Sequence, residues 1–164
     1  MLVKQISTNE AKHFCRRWHY SNIFPPHCRI SLGYRDSVGQ AGVAIWGWGT
    51  RPLHTIRKLF PSLGTGDYWE LARLCLRDDC PHNSESMFLS ALAVWMKKNQ
   101  PKQKVLFTWA DGLRGKPGYI YQASGWLYGG YITTELMLTA DGEPIHPRLL
   151  INRYKTRAKS LWVG

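Results

Sequence analysis

The stretch YWELARLCL, Tyr68 to Leu76, followed by NSESMFLSALAVWMKKNQ and then KVLFTWAD, constrains the fold more than any other part of the chain. Trp69 and Leu71 alternate with their neighbours. After Ala72 the rhythm resumes on Leu74 and Leu76, the pattern of a central strand. Phe88, Ala91, Leu92 and Trp95 recur at helical spacing, with Lys97 and Lys98 at the end where the helix dipole favours cations. The charge-poor KVLFTWAD reads as a short buried strand. Strand, helix and strand in succession are the signature of an α/β fold.

The flanking segments extend this pattern. Ser7-Thr8-Asn9-Glu10 has the spacing of a capping box and starts a helix carrying Phe14 and Trp18. The chain turns at Pro25-Pro26. RISLGY and AGVAIWGWG read as neighbouring strands joined through Asp36–Gly39, and HTIRKLF as a short helix before Pro61. GKPGYIYQASGW reads as a loop and short helix. WLYGGYIT and ELMLTADG read as closing strands with a turn at Asp141-Gly142, and HPRLLINRYKTRAKS as a basic terminal helix. No repeat or low-complexity linker interrupts the 164 residues, so the expectation is one domain over 1–164 with a mixed sheet and flanking helices.

Hydrophobic residues make up 44% of the chain, which excludes a disordered protein. No run of about 18 apolar residues marks a membrane span, and the first residues lack the apolar core of a signal peptide. The expected location is the cytoplasm, which makes free thiols the default for Cys15, Cys28, Cys75 and Cys80. No C-x-x-C pair is present, and His13, Cys15, His19, His27 and Cys28 match no common zinc spacing. With 22 Lys and Arg against 11 Asp and Glu, the net charge is +11. That charge, with eight Trp and eight Tyr, points to a nucleic-acid partner whose bases stack on rings set among cations.

Ligands in open α/β sheets sit off the carboxyl ends of strands. Here those ends are Arg77-Asp78-Asp79 and Ala110-Asp111-Gly112. DDCPHNSES places Asn83, Ser84 and Ser86 at a helix N-terminus, where backbone N–H groups bind anions. Asn83 or Ser84 also serves as an ordinary N-cap on this reading. No glycine-rich phosphate cradle is present. Arg73 interrupts an apolar strand: facing inward it needs an anionic partner, facing outward it is trivial, and alternation does not decide. Asp111 is either an Asx-turn residue or a base or metal ligand. Tyr121 is either a packed ring or a proton donor. His19 gains weight from Arg16, Arg17 and Tyr20 around it.

Taken together, WHYS, ELARLCL, DDCPHNSES, WAD, GYIYQASGWLYGG and ADGEPIHPRLLINRY resemble the phage Mom-like DNA modification proteins, over about Trp18 to Tyr154. The resemblance implies a Gcn5-related N-acetyltransferase-like fold. It implies an enzyme that places a carbamoylmethyl (acetamido) group on N6 of adenine in double-stranded DNA, protecting phage DNA from host restriction. It implies iron, for which His19 and Asp111 are the obvious ligands in this chain and Tyr20, Tyr121 or a further histidine the third, and a group donor of unsettled identity. The implied functional positions are His19, Tyr20, Arg73, Ser86, Asp111 and Tyr121. Acetyltransferases of that fold carry a glycine-rich pyrophosphate loop where this chain has DDCPHNSES, which argues against acetyl-coenzyme A as donor.

N6 of adenine is a weak nucleophile and is engaged in pairing, so base flipping is expected. Trp18, Tyr20 or Trp126 would stack on the extruded base. Arg16, Arg17, Arg148, Arg153, Lys155, Arg157 and Lys159 would hold phosphates, and Asn83 and Ser84 the donor or another anion. Two other classes compete with this reading: a coenzyme A-dependent N-acetyltransferase, and a non-catalytic basic DNA-binding module.

Overall fold

The computed structural model describes residues 2–21, 23–49, 52–112, 115–133, 137–138, 141–142, 144–145, 151 and 155. Contacts divide the chain into two units, Met1–Tyr128 and Gly129–Gly164.

The first unit is an α/β structure. Strands β1 (Leu2–Gln5), β2 (Cys28–Arg35), β3 (Gln40–Gly47), β4 (Tyr68–Leu76) and β5 (Val105–Thr108) form a sheet in the order β1-β2-β3-β4-β5. The first four pair antiparallel, and β5 joins β4 in parallel. The sheet is therefore mixed, as the strand–helix–strand pattern requires. Its helices are α1 (Thr8–Trp18), α2 (Pro52–Leu59), α3 (Ser84–Asn99) and α4 (Tyr119–Ala123).

Local chemistry sets these boundaries. The capping box at α1 is present: Glu10 N–H donates to Ser7 Oγ (3.2 Å) and Ser7 N–H to Glu10 Oε2 (2.9 Å). Asp36 closes the β2–β3 turn by accepting from the N–H groups of Val38 and Gly39 and pairing with Arg77 at 2.7 Å. Strand β1 went unread in the sequence; its four residues bury little, so no apolar alternation announces them.

Two apolar layers cover the sheet. On one face Ile30, Leu32, Ala44, Trp46, Trp69 and Leu71 pack with Phe88, Leu89, Leu92 and Met96 of α3. On the other, Val43, Ile45 and Cys75 pack with Ala11, Phe14 and Cys15 of α1. Each fully buried large side chain, such as Phe88 or Leu92, stabilises the fold by roughly 2 kcal/mol.

The parity break at Ala72 is a β-bulge. Ile45 pairs with Arg73 but Trp46 with Leu71, leaving Ala72 as the extra residue. Leu74 therefore joins Trp69 and Leu71 against the α3 core, while Cys75 lies in the α1 core. Arg73 is turned with Cys75 towards the end of α1. Pairing of β4 with β5 stops at Leu71 and Thr108, whereas β4 runs on to Leu76. The parallel pairing thus stops two residues before Arg73, where β5 ends.

In the second unit β6 (Met137–Leu138) pairs antiparallel with β7 (Pro144–Ile145), with Asp141 and Gly142 between them. The expected strand over WLYGGYIT does not form: residues 126–133 have no regular structure. Exposed Leu127, Tyr128 and Tyr131 give this stretch the look of a strand without a sheet to bury it. The expected terminal helix does not run through Lys155, whose φ is +60° and whose N–H bonds to the Ile151 carbonyl at 2.9 Å. Arg148, Arg153, Arg157 and Lys159 lie outside the described residues.

Candidate active site

The polar cluster forms just beyond the last β4–β5 pair. The end of α1 supplies the first two members. His19 ends the helix in an extended conformation, its N–H still donating to the Cys15 carbonyl at 2.9 Å. Its Nδ1 accepts from Ser21 N–H at 2.9 Å, and Ser21 Oγ in turn accepts from Ile23 N–H at 3.4 Å. Ile23 in turn meets β4, its carbonyl accepting from Arg73 Nη2. Tyr20 lies against His19, ring centroids 4.2 Å apart.

Arg73 Nη1 is 3.2 Å from both ring nitrogens of His19. A nitrogen equidistant from both lies along neither lone pair, so the guanidinium sits over the ring rather than at a directed hydrogen bond. Burial first, and the Arg73 charge second, push the His19 pKa down to about 4. The imidazole is neutral at pH 7. With Nδ1 accepting, the proton sits on Nε2.

The β5 end supplies the carboxylate. Tyr20 OH donates to Asp111 Oδ2 at 3.3 Å, joining residues 91 positions apart. Lys116 N–H donates to the Asp111 carbonyl at 3.2 Å, folding the loop so that Nζ lies 4.7 Å from the centroid of the Tyr20 ring. Burial and the Asp111 charge raise the Tyr20 pKa, which keeps its phenol protonated.

Tyr121 comes from α4. The helix starts at Gly118, whose φ is +90° and where any Cβ would press on Ala110 at 2.9 Å. That close approach sets α4 beside the residues following β5. Burial raises the Tyr121 pKa, opposed by the neighbouring Thr108 side chain and the Arg73 charge. Thr108 Oγ1 donates to the Leu71 carbonyl at 2.9 Å, tying this side to the last paired residue of β4. Trp126 packs on Tyr121 with centroids 5.7 Å apart.

His19, Tyr20, Arg73, Asp111 and Tyr121 therefore come together from four segments. Ser86 is half-buried in the first turn of α3, and among the described residues no side-chain bond links it to the cluster. Asn83 occupies the α3 N-cap with φ +67° but makes no side-chain cap bond. Ser84 is buried, and its hydroxyl donates to the Pro81 carbonyl at 2.6 Å. Arg16 and Arg17 are exposed at the end of α1, and the Arg17 guanidinium stacks 4.9 Å from the Trp18 ring centroid. Sequence reading missed Thr108, Lys116, Ser21 and the Ile23 carbonyl. Only Lys116, a cation in a Gly-Pro loop next to Tyr121, carried a visible signal.

Among the described residues no three His, Cys, Asp or Glu side chains gather to hold a metal. His19 has Nδ1 engaged by Ser21, and Arg73 brings a cation against its ring. The described donors do not fit an iron centre built on His19 and Asp111.

A mixed sheet with a half-buried arginine just beyond the last β4–β5 pair, and with a neutral imidazole, a carboxylate and two protonated phenols gathered there, defines an α/β protein with a candidate catalytic site. The chain belongs to the Mom protein family, whose model matches residues 1–163. It is 32% identical over 145 residues to the methylcarbamoylase Mom of Escherichia phage Mu, covering 88% of this chain and 59% of that protein. The chain thus spans well under two thirds of the length of the curated relative it matches. Among the described residues no helix is long and apolar enough to cross a membrane.

Proposed function

We propose that this protein is a phage-type DNA modification enzyme that transfers a carbamoylmethyl group to N6 of adenine in double-stranded DNA, in the host cytoplasm, and so protects the DNA from restriction. Membership of the Mom family and likeness to a protein named a methylcarbamoylase support the reaction class. The observation that carries the reading is the meeting of His19, Tyr20, Arg73 and Asp111 beyond the last β4–β5 pair. In this reading the mixed five-stranded sheet, with its bulge in β4, is akin to the Gcn5-related N-acetyltransferase fold.

The chemistry asks for a base near N6, because that nitrogen attacks only as its proton leaves. In this reading the flipped adenine presents N6 to Asp111, which Tyr20 holds in place through its hydrogen bond. The N6–C bond forms at the methylene carbon of the donor. The bond from that carbon to the leaving group breaks, the N6 proton passes to Asp111, and Tyr121 gives its proton to the leaving group. Arg73, beside a histidine that stays neutral, binds the carbonyl oxygen of the transferred group. The Ser84 hydroxyl is already engaged and no glycine cradle stands at α3, which weighs against a coenzyme A pyrophosphate there.

The test is expression in bacteria, digestion of cellular DNA to nucleosides, and mass spectrometry. A deoxyadenosine heavier by one carbamoylmethyl group is expected, and Asp111→Ala removes it while DNA binding persists. Unmodified nucleosides from cells making folded, soluble protein would overturn the reading.

A further inference from the structure

A second bulge repeats, away from the candidate catalytic site, what the Ala72 bulge does within it. Cys28 pairs with Gly47 but Ile30 with Trp46, leaving Arg29 as the extra residue of β2. The extra residue of a bulge departs from the alternation of its strand. The exposed Arg29 side chain lies over Trp48, its guanidinium carbon 3.9 Å from the ring centroid. Trp48 follows the last residue of β3 and keeps 47% of its surface exposed. Its position is fixed by the backbone: Gly47 is so tight against the His27 carbonyl that no Cβ fits between them.

A large ring left about half in solvent gives up much of the stabilisation it would gain in a core. The described cation–π pairs, Arg17 on Trp18, Lys116 on Tyr20 and Arg29 on Trp48, all set a cation on an aromatic ring. Trp18 and Cys28 pack on the same apolar cluster, so the Arg17–Trp18 pair and the start of β2 flank one corner of the first unit. In a chain of net charge +11, that alternation of cation and ring is the chemistry of a nucleic-acid track.

We infer that Arg29 and Trp48 form a DNA-contact site outside the catalytic site, Arg29 on a backbone phosphate and Trp48 stacked on a base left unpaired when the target adenine is extruded. The inference rests on the reading that the substrate is DNA. It adds Arg29 and Trp48 to the Arg16, Arg17 and Trp18 that the sequence had already marked on the first unit.

The experiment uses the full chain and a short fluorescein-labelled DNA duplex, read by anisotropy across a salt series. Trp48→Leu keeps bulk without a stacking face and weakens binding about five-fold or more, while Trp48→Phe retains most of the affinity. Arg29→Gln reduces the slope of log affinity against log salt by about 0.9, one phosphate. A duplex carrying 5-iododeoxyuridine crosslinks to the peptide containing Trp48 on irradiation, a readout that needs no variant to fold. Wild-type protein that binds and modifies DNA, with Trp48→Leu and Arg29→Gln matching it or crosslinks only elsewhere, overturns this inference alone. Wild-type protein with no affinity for DNA overturns the functional reading and this inference with it.

Discussion

Arg73 lies over the imidazole of His19, Nη1 3.2 Å from each ring nitrogen, and the same guanidinium donates through Nη2 to the Ile23 carbonyl. One side chain on β4 thereby fixes both the end of α1 and the segment that follows it. Planarity matters more than charge in this role, because a guanidinium can lie on a ring and reach a carbonyl together, whereas an ammonium is a single point.

Arg73→Lys is therefore expected to lower modification activity by about ten-fold or more despite keeping the charge, and Arg73→Gln by more. In Arg73→Gln the His19 pKa, read by NMR, moves up from about 4 towards 6.5, since one of the three causes depressing it (burial, the Arg73 charge and the Lys116 charge) is gone. A His19 titration that does not move would place the guanidinium elsewhere in solution.

The same depression links stability to pH. The folded state disfavours protonated His19, while the unfolded chain takes up that proton near 6.5. Stability is therefore fully present above about 6.5, is lost as pH falls towards about 4, and loses nothing further from this group below that. Urea midpoints measured between these values should fall for the wild type and fall less for His19→Asn. Equal slopes for the two proteins would mean that His19 titrates normally in the fold.

Tyr20→Phe keeps the ring against His19 and removes only the phenol that reaches Asp111 at 3.3 Å. Since Tyr20 is 51% exposed, its folding free energy should stay within about 0.5 kcal/mol of wild type. Activity should drop by about ten-fold, and Asp111→Asn should cost about 100-fold or more. Full activity in Tyr20→Phe would show that Asp111 needs no help from the phenol to hold its position.

The parts of this fold that were legible in the sequence are those where one apolar rhythm runs long enough to count. Tyr68 to Leu76 read correctly as a strand, with its break at Ala72, because a bulge shifts parity without lowering hydrophobicity. The orientation of Arg73 did not follow from the same letters. Ordinary alternation gives Arg73 the side of Leu71, and only the pairing of Ile45 with Arg73 shows that the extra residue reverses it. WLYGGYIT failed for the opposite reason: aromatic residues satisfy strand propensity, but propensity forms no strand without a neighbour to pair with. Asp111 and Tyr121 were picked out from a strand end and a helix. The placing of Tyr121 beside the residues after β5 goes with Gly118 closing against Ala110, a contact between residues eight apart that no periodicity encodes.

Gly47 tests whether the backbone, rather than side-chain packing, fixes the corner that carries Trp48. A Cβ there would overlap the His27 carbonyl oxygen, and the neighbour is backbone that cannot swing aside. Gly47→Ala must therefore push the start of β2 away from the end of β3, at a cost of about 1–3 kcal/mol. Gly66→Ala is the control: a Cβ there meets nothing within 4 Å, and its backbone lies outside the left-handed region. That variant should be neutral or slightly stabilised, because alanine restricts the unfolded chain. Urea midpoints separate the two cases. If Gly47→Ala unfolds at the wild-type midpoint, the β2–β3 edge yields without cost, and Trp48 is then held by its contact with Arg29.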